Sequence, residues 1–578
     1  MNNGASNMAS AQCIVAELHR RGVSYFGVAP GSRSSPLALA VAENHEVAST
    51  VHFDERGLAY HAIGYIRGSG KPAAIICTSG TAVANFSPAV VEASQDNLPL
   101  IVLTADRPPE LRDCGANQTI DQLRIFGDYV KYFADLPCPD GNDSAVYGAA
   151  IFQLLGNVRD ALRAALGPPG GPVHFNCPYR EPLVPEILDT PIPITHFTRR
   201  QAKSADRVDR RALDGLAARL AESRRGLLLI GRLTSGSERT AVAKLCRRLD
   251  WPVVADITSG LRASGDRFLH GPHDLVFKNE HARSRINPDF ALHLGGQMVS
   301  KHLLTFLSER RGVEYWSCSG GCRPFDPAHV VTTRVEGDLT AIADAISAAP
   351  PPASDPNFRH FIQSAVDTVE RTVDDFLANN TPFTEFALAR ALACACDGDH
   401  LFLASSLTIR DFDWFTPRGS KIGMIAANRG TSGIDGTIAS AVGFAQGLKA
   451  PVTLVLGDQA TLHDLNSLAL VAKSEYPVTV IVVNNRGGRI FEMLPVAQHH
   501  DHFEHFFAAA HGFTFENAAA MFRLTYARVE TTGTLVDSWT AARSSNQSRM
   551  IEATVDPASA SRARRALFDL IDEKLSEL

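Results

Sequence analysis

Two apolar segments, PVTLVLGD and PVTVIVVNN, constrain the fold of this chain more than any other feature. Each is typical of a buried strand, and a helix-like stretch separates them. The first segment ends in Asp458, and Asn485 closes the second. Two strands joined by a helix indicate a parallel βαβ unit. Because ligands bind at the carboxyl edge of such sheets, we expect Asp458 and Asn485 to lie close together.

Asp458, Asn485 and the backbone carbonyl of Gly487 form a candidate metal site. Their oxygens are hard ligands, and Mg²⁺ keeps few protein ligands while water and phosphate oxygens complete its octahedron. The pattern therefore predicts a clamp for a divalent metal, Mg²⁺ or Mn²⁺, and a diphosphate. The alternative is an ordinary βαβ unit whose polar residues only cap helices and turns.

The whole chain carries the alternation of short apolar runs and amphipathic stretches that is typical of α/β proteins. Its 578 residues are too many for a single core. We predict three doubly wound α/β domains with mostly parallel sheets, at residues 1–190, 196–350 and 357–578. Proline-rich stretches at 184–206 and 349–356 separate them. The predicted strands lie near residues 25–28, 73–77, 100–104, 173–176, 227–230, 253–256, 290–294, 401–404, 422–426, 454–456, 479–483 and 550–554.

Charge and hydropathy exclude two classes of partner. The net charge is −6 at pH 7, so no general basic field for nucleic acid is expected. No apolar run is long enough to span a bilayer, and the first residues lack the pattern of a signal peptide. We therefore expect a cytoplasmic protein without membrane insertion.

The ten cysteines include two close pairs, Cys318 with Cys322 and Cys394 with Cys396. Neither pair has the usual zinc spacing with a matching second half. Reduced and mostly buried thiols are the expected state, and a zinc or redox site is the alternative.

A second segment, VHFDERGLAYHAIGYIRGSGKPAAIICTSGTAVAN, places Glu55 before a helix-like stretch and ends a strand at Thr78. Together with the segment that contains Gly457, Asp458 and Asn485, it resembles the thiamine diphosphate enzymes. The resemblance implies that Glu55 is catalytic and hydrogen-bonds the aminopyrimidine of thiamine diphosphate, with Asp54 as the nearest alternative. It also implies that Ser432 and Gly433 open a helix whose amides face the diphosphate. The implied cofactor-binding residues are Glu55, Thr78, Ser79, Gly80, Ser432, Gly433, Ile434, Asp458, Ile490 and Phe491.

Five further strings narrow the resemblance: PGSRSSPLALA, TADRPPELRDCGANQTIDQ, SSLTIR, NRGTSGIDG and NNRGGRIFEMLP. They resemble the carboligase family of menaquinone biosynthesis, from about residue 11 to the C-terminus. This implies decarboxylation of 2-oxoglutarate and addition of the four-carbon unit to isochorismate. Arginine forks suit such carboxylate substrates. The implied substrate-binding residues are Ser32, Arg33, Arg107, Asn117, Gln118, Lys301, Ser406, Arg410 and Arg429.

The resemblance also implies a homodimer or homotetramer, because in the family Glu55 of one subunit completes the diphosphate site of another. Ser405, Arg486 and Arg489 depart from the family pattern.

Two alternatives to this function stay open. One is another thiamine diphosphate-dependent decarboxylase or carboligase, similar to acetohydroxyacid synthase or oxalyl-CoA decarboxylase. The other is a non-catalytic dinucleotide- or effector-binding protein that uses the middle domain, although that domain lacks G-x-G-x-x-G after its strand.

Overall fold

Three parallel sheets, one after another along the chain, form the framework of this protein. The computed structural model describes residues 2–139, 144–186, 208, 210–266, 273–310, 312–320, 325–379 and 382–578. Most of the proline-rich stretch at 184–206, and Cys322, lie outside the described residues. In the described part of the chain, all pairs of named strands are parallel.

The first unit is a six-stranded sheet with the order β2-β1-β3-β4-β6-β5. Its central strands are buried on both faces, as continuous apolar runs such as AAIIC require. The unit contains α1 (Asn3–Arg20), β1 (Tyr25–Val28), α2 (Ser35–Ala42), β2 (Ala48–Val51), α3 (Glu55–Ser69), β3 (Ala73–Cys77), α4 (Thr81–Asn85), α5 (Ser87–Gln95), β4 (Leu100–Asp106), β5 (Tyr132–Asp135), α6 (Ser144–Leu166) and β6 (Val173–Pro178).

The second unit is a five-stranded sheet with the order β11-β10-β9-β7-β8. It contains α7 (Arg210–Glu222), β7 (Gly226–Ile230), α8 (Gly236–Leu249), β8 (Val253–Ala255), α9 (His273–Lys278), α10 (Glu280–Arg285), β9 (Phe290–Leu294), α11 (Lys301–Glu309), β10 (Glu314–Ser319), β11 (Thr333–Glu336) and α12 (Leu339–Ala348). The segment APPPASDP connects α12 to the next helix, which begins at Pro356.

The third unit is a six-stranded sheet with the order β13-β12-β14-β15-β17-β16. The chain runs through α13 (Pro356–Ala378), α14 (Glu385–Ala395), β12 (Asp397–Leu403), α15 (Leu407–Phe415), β13 (Lys421–Ala426), α16 (Thr437–Leu448), β14 (Val452–Gly457), α17 (Asp458–His463), α18 (Leu468–Lys473), β15 (Val478–Asn484), α19 (His500–His502), α20 (Glu516–Met521), β16 (Thr525–Val529), α21 (Thr532–Ser545), β17 (Arg549–Thr554) and α22 (Pro557–Ser576). The strands β12, β14 and β15 are neighbours, so their carboxyl ends form one edge.

Helix α3 of the first unit and helix α16 of the third unit cross in close contact at glycine residues. A Cβ atom on Gly64 would lie 1.9 Å from the carbonyl oxygen of Ser440. A Cβ atom on Gly443 would lie 1.9 Å from the carbonyl oxygen of His61. Any side chain at either position would therefore collide with the backbone of the opposite helix. The two helices begin at Glu55 and directly after the loop 428–436, so their close crossing positions both segments.

The predicted strands are all present, within a few residues of their predicted bounds. The structure adds five strands that the sequence did not suggest: β2, β5, β10, β11 and β16. Four of them are sheet edges, where alternating polar residues replace the apolar runs of central strands. Among the described residues, the helices are all too short or too polar to cross a membrane.

Candidate active site

A cavity open to solvent lies where β12, β14 and β15 end, and its empty space, including the part open to solvent, is about 620 Å³. All of its lining residues lie between positions 385 and 490, so it belongs to the third unit. The lining residues are Glu385, Leu388, Ala389, Ser405, Ser406, Leu407, Thr408, Asp411, Phe412, Ile434, Val455, Gly457, Asp458, Gln459, Ala460, Val483, Asn485, Gly487, Gly488, Arg489 and Ile490.

Asp458 and Asn485 come together at this edge, as their strand-end positions predict. Asp458 begins α17 directly after β14 and is 1% exposed. The Gly487 N–H donates to its Oδ2 at 2.9 Å, and the Gln459 N–H donates to its Oδ1 at 2.6 Å. Burial raises the pKa of Asp458, although these hydrogen bonds oppose the shift. A buried carboxylate of this kind gains from a cation beside it.

The donor set at this edge fits a hard divalent cation. Asn485 donates its Nδ2 hydrogen to Glu385 Oε1 at 2.7 Å, which leaves the amide oxygen as the atom available to a metal. The described residues contain no group of three or more His, Cys, Asp or Glu side chains that could hold a metal ion. A site built from one carboxylate, one amide and one backbone carbonyl suits Mg²⁺, whose other ligands are phosphate and water oxygens.

A buried charged network lies behind Asn485. Arg564, from α22, donates to Asp411 through both terminal nitrogens, with Nη2 to Oδ2 at 3.0 Å. The same guanidinium lies 3.6 Å from Glu385 Oε2. Each charge therefore has a partner, and the network fixes the carboxylate that orients Asn485. Glu385 and Arg564 were not among the predicted residues, because a lone carboxylate at a helix start carries no recognisable motif.

The start of α15 faces the part of the cavity next to Asp458. Ser406 precedes the helix with φ of 76°, and Leu407 and Thr408 of its first turn line the cavity. Free amides at a helix start attract anions. Ser405, one of the departures from the family pattern, donates its hydroxyl hydrogen to the Asn428 carbonyl at 3.2 Å.

The prediction that Ser432 and Gly433 open a helix is wrong. Helix α16 begins at Thr437, and neither Ser432 nor Gly433 lines the cavity, although Ile434 does. The physical reason is the backbone, since Ser432 and Gly436 both have φ of 60°, a left-handed conformation that a right-handed helix does not contain. The start of α16 also already has an anion. Asp464 Oδ2 accepts hydrogen bonds from the N–H groups of residues 438 and 439, at 2.7 and 3.0 Å.

Two apolar residues follow Asn485 on the same loop. Ile490 lines the cavity. Phe491 does not line the cavity. Its ring makes an edge-to-face contact with Phe507, with the ring centroids 6.4 Å apart. Arg489 lines the cavity as well, and its guanidinium pairs with Glu504 at 2.7 Å and with Glu492 at 3.2 Å. This departure from the family pattern therefore adds little net charge to the site.

Arg410 and Arg429 form a pair of cations in the third unit. Arg410 donates to the Ser406 carbonyl at 2.5 Å. Burial lowers the pKa of Arg410, and the nearby Arg429 cation lowers it further. Within the described part of the chain, neither guanidinium forms an ion pair with a carboxylate. Two neighbouring cations that form no direct ion pair with a carboxylate are suited to bind an anionic ligand.

A second group of predicted residues gathers at the ends of β3 and β4 in the first unit. Ser79 accepts a hydrogen bond from Arg107 Nη1 at its hydroxyl and one from Gln118 Nε2 at its carbonyl, the latter at 3.0 Å. Arg33 donates to the Tyr179 carbonyl at 3.1 Å and to Glu181 at 2.8 Å.

The same part of the first unit carries the other predicted residues of β3 and its neighbouring loops. Burial and the Arg33 cation lower the pKa of Arg107, so these two arginines also lie near each other. Thr78 is buried, Gly80 donates its N–H to Gln122 at 3.1 Å, and Ser32 and Asn117 are exposed.

Glu55 begins α3, and Asn85 Nδ2 donates to its Oε2 at 3.3 Å. Asp54 caps the same helix by accepting a hydrogen bond from the Gly57 N–H at 3.3 Å. Its role is therefore structural and differs from the catalytic role expected of Glu55. Arg56 contacts His463, at the far end of the helix that Asp458 begins. Glu55 is absent from the residues that line the cavity with Asp458 and Asn485.

Lys301 lies in the second unit, at the exposed start of α11. Its neighbours Ser300 and His302 both contact Asp274. The same carboxylate accepts a hydrogen bond from Trp414 of α15 at 2.5 Å. The start of α11 therefore lies beside the helix that carries Arg410.

Comparisons with known proteins agree with this geometry. Residues 8–125 match the "Thiamine pyrophosphate enzyme, N-terminal TPP binding domain" family, and residues 421–553 match its "C-terminal TPP binding domain". Residues 195–403 match the "Middle domain of thiamine pyrophosphate" family. A solved structure of a candidate thiamin diphosphate-dependent enzyme from Mycobacterium smegmatis has a TM-score of 0.70 and 17% identity, and covers 95% of this chain and 99% of its own. This likeness shows the fold.

Curated relatives are more specific. A protein from Rubrobacter xylanophilus is 39% identical over 95% of this chain and 96% of its own. One from Salinibacter ruber is 40% identical over 95% of this chain and 93% of its own. One from Chlorobium phaeobacteroides is 39% identical over 91% of both chains. All three are named 2-succinyl-5-enolpyruvyl-6-hydroxy-3-cyclohexene-1-carboxylate synthase. This chain belongs to that synthase family of thiamine diphosphate-dependent enzymes.

Proposed function

We propose that this chain decarboxylates 2-oxoglutarate and adds the resulting four-carbon unit to isochorismate, which gives 2-succinyl-5-enolpyruvyl-6-hydroxy-3-cyclohexene-1-carboxylate and CO₂ in menaquinone biosynthesis. The observation that carries this proposal is the proximity of Arg410 and Arg429, neither of which forms a direct ion pair with a carboxylate in the described residues. Both substrates are carboxylates, and planar guanidinium forks bind carboxylates through two parallel hydrogen bonds. The names of relatives at 39–40% identity support the same reaction.

Asp458, Asn485 and the Gly487 carbonyl would hold Mg²⁺ or Mn²⁺, and the start of α15 would face the diphosphate. Ile434 and Ile490 would contact the cofactor, since both line the cavity. Bound thiamine diphosphate would supply a carbon nucleophile for the keto carbon of 2-oxoglutarate and an electron sink for the loss of CO₂. The apolar side chains at this end of the cavity would exclude water from the reacting atoms.

Glu55 would exchange a proton with a ring nitrogen of the aminopyrimidine, the step that prepares the cofactor. The arginines of both units would orient the substrates. Arg33, Arg107 and the polar residues around Ser79 would line one side, and Arg410 and Arg429 the other. Holding both partners in a fixed geometry converts binding energy into rate.

We infer that the complete site forms between two copies of this chain, in a homodimer or homotetramer. In one chain, Glu55 is not among the residues that line the cavity with Asp458. Large apolar side chains are exposed next to both parts: Phe53 is 61% exposed, Phe506 70% and Phe513 61%. Such side chains are typical of surfaces that become buried on association.

The test is turnover by the purified full chain with thiamine diphosphate, Mg²⁺, 2-oxoglutarate and isochorismate. We expect CO₂ release to require both substrates and to fall at least about 10²-fold in Glu55→Gln. Asp54→Asn is the matched control, since it alters the neighbouring carboxylate and should retain most activity. If 2-oxoglutarate is untouched while pyruvate is decarboxylated, the chain is a different thiamine diphosphate carboligase.

The shared site is tested by mixing two inactive variants. Co-expressed Glu55→Gln and Asp458→Asn chains can form mixed dimers that have one intact site, with Glu55 from one copy and Asp458 from the other. Recovered activity in the mixture supports a site between copies. If the mixture is as inactive as each variant alone, each site is built within one chain.

A further inference from the structure

Glu92 is a fully buried carboxylate on α5 that the proposed mechanism does not use. It reaches from the first unit to the loop 429–433 of the third unit. Its Oε1 accepts the Gly430 N–H at 2.8 Å. Its Oε2 accepts the Thr431 N–H at 2.7 Å and the Thr431 hydroxyl at 2.9 Å. These three hydrogen bonds hold the backbone immediately after Arg429.

The packing at this point leaves the loop little freedom. A Cβ atom on Gly430 would lie 2.6 Å from the Glu92 carbonyl oxygen and 2.9 Å from its Oε2, so the loop backbone approaches α5 as closely as glycine permits. The Glu92 carboxylate is also fixed from its other side, because Arg67 Nη2 donates to its Oε1 at 2.8 Å.

The negative charge of Glu92 belongs to a buried cluster that joins all three units. Arg67, on α3, pairs with both Glu92 and Asp96. Asp96 also pairs with Arg232, which follows β7 of the second unit. Two carboxylates thus face two guanidinium groups. A buried network with every charge paired favours one geometry, because each displacement leaves a charge without its partner.

We propose that Glu92 is a positioning residue for substrate binding, because it fixes the loop 429–433 so that Arg429 stays beside Arg410. The two guanidinium groups repel each other, and a long arginine side chain has many rotamers. Arg429 also interacts electrostatically with Asp256 of the second unit. Without a fixed backbone, repulsion from Arg410 and attraction to Asp256 would both move Arg429 away from the anion site. This proposal rests on the proposed function, which assigns the substrate carboxylate to these arginines.

Asp96 provides a matched control for Glu92. It lies one helical turn further along the chain and carries the same charge in the same cluster, but its bonds go to Arg67 and Arg232 and not to the loop. Glu92→Gln and Asp96→Asn each remove one buried negative charge. Only Glu92→Gln turns an amide N–H₂ group towards a loop that offers N–H donors.

The experiment compares the two variants with the wild-type chain, each with saturating thiamine diphosphate and Mg²⁺. We expect Glu92→Gln to raise KM for a carboxylate substrate about tenfold or more, with a smaller change in kcat, and Asp96→Asn to keep KM within about twofold. Hydrogen exchange at the amides of Gly430 and Thr431 should accelerate in Glu92→Gln and stay close to wild type in Asp96→Asn. Thermal unfolding should show a similar loss of stability for both.

An unchanged KM in Glu92→Gln, or an equal rise in both variants, would overturn the positioning role. If the wild-type chain does not consume isochorismate, the proposed function fails instead. In that case, calorimetric titration with succinate, a dicarboxylate without a reacting carbonyl, still tests the positioning role. Weaker succinate binding in Glu92→Gln than in Asp96→Asn supports it, and equal binding in the two variants overturns it.

Discussion

The crossing of α3 and α16 leads to a sharp prediction for Gly443→Ala. In an ordinary helix interior this change stabilises a protein, because alanine exceeds glycine in helix propensity by about 1 kcal/mol. At Gly443 the added Cβ atom would lie 1.9 Å from the His61 carbonyl oxygen. A close C···O contact needs roughly 3.3 Å, so the helices must separate by about 1.4 Å at this point.

Such a separation affects the whole crossing and not a single contact. Gly64 approaches Ser440 as closely as Gly443 approaches His61, and Gly447 lies against Tyr65. Overpacking a well-packed interface costs about 1–3 kcal/mol or more, and here rigid backbone must move. After the gain in helix propensity, we expect a net loss of about 2 kcal/mol, or roughly 4–8 °C in the melting temperature.

The assay is thermal and urea unfolding of Gly443→Ala against Gly533→Ala. Gly533 also lies in a helix, α21, but is exposed, and a Cβ atom there would have nothing within 4 Å. We expect Gly533→Ala to be as stable as the wild type or more so. If both variants have the same stability, the crossing tolerates a methyl group and the close-contact reasoning is refuted. Activity should also fall in Gly443→Ala, since α3 begins with Glu55.

Two further predictions concern the metal and pH. Asp458→Asn should weaken Mg²⁺ binding at least tenfold in calorimetric titrations with thiamine diphosphate present. Glu385→Gln should weaken it less, because Glu385 orients the ligand Asn485 and does not itself bind the metal. Unchanged affinity in Asp458→Asn would contradict the metal assignment. Burial lowers the pKa of His61 and His174 to about 3 and that of His293 to about 4. Unfolded histidine titrates near 6.5, so unfolding takes up protons below that pH. Because each of these rings is protonated only on unfolding, each should lower the free energy of unfolding by about 1.4 kcal/mol at pH 5.5, and this loss should be absent above pH 7.5. Urea midpoints that stay constant from pH 7.5 to 5.5 would contradict this.

Much of the sheet framework was predictable because the sequence pattern that specifies each strand lies within a few neighbouring residues. Continuous apolar runs such as those before Asp458 and Asn485 can be buried only as central strands, and each predicted strand is present. Four of the edge strands, β2, β5, β11 and β16, were missed. The strand β2, for example, is largely exposed and carries little apolar signal. The expected helix start at Ser432 failed because the backbone there is left-handed and α16 begins only at Thr437. Asp464, on a later segment of the chain, accepts a hydrogen bond from the start of that helix.

The sequence by itself determined the fold class, the strand ends that carry Asp458 and Asn485, and the types of residue that can hold a metal, a diphosphate and carboxylates. Those features depend on hydrophobic periodicity and on chemistry within a few residues. Only the tertiary structure decided which distant segments meet. It brought Gly64 against Ser440 and Glu92 against the loop after Arg429, and it kept Glu55 out of its own chain's cavity. Contacts of this kind depend on how three sheets pack together, and the identity of each residue alone does not specify that packing.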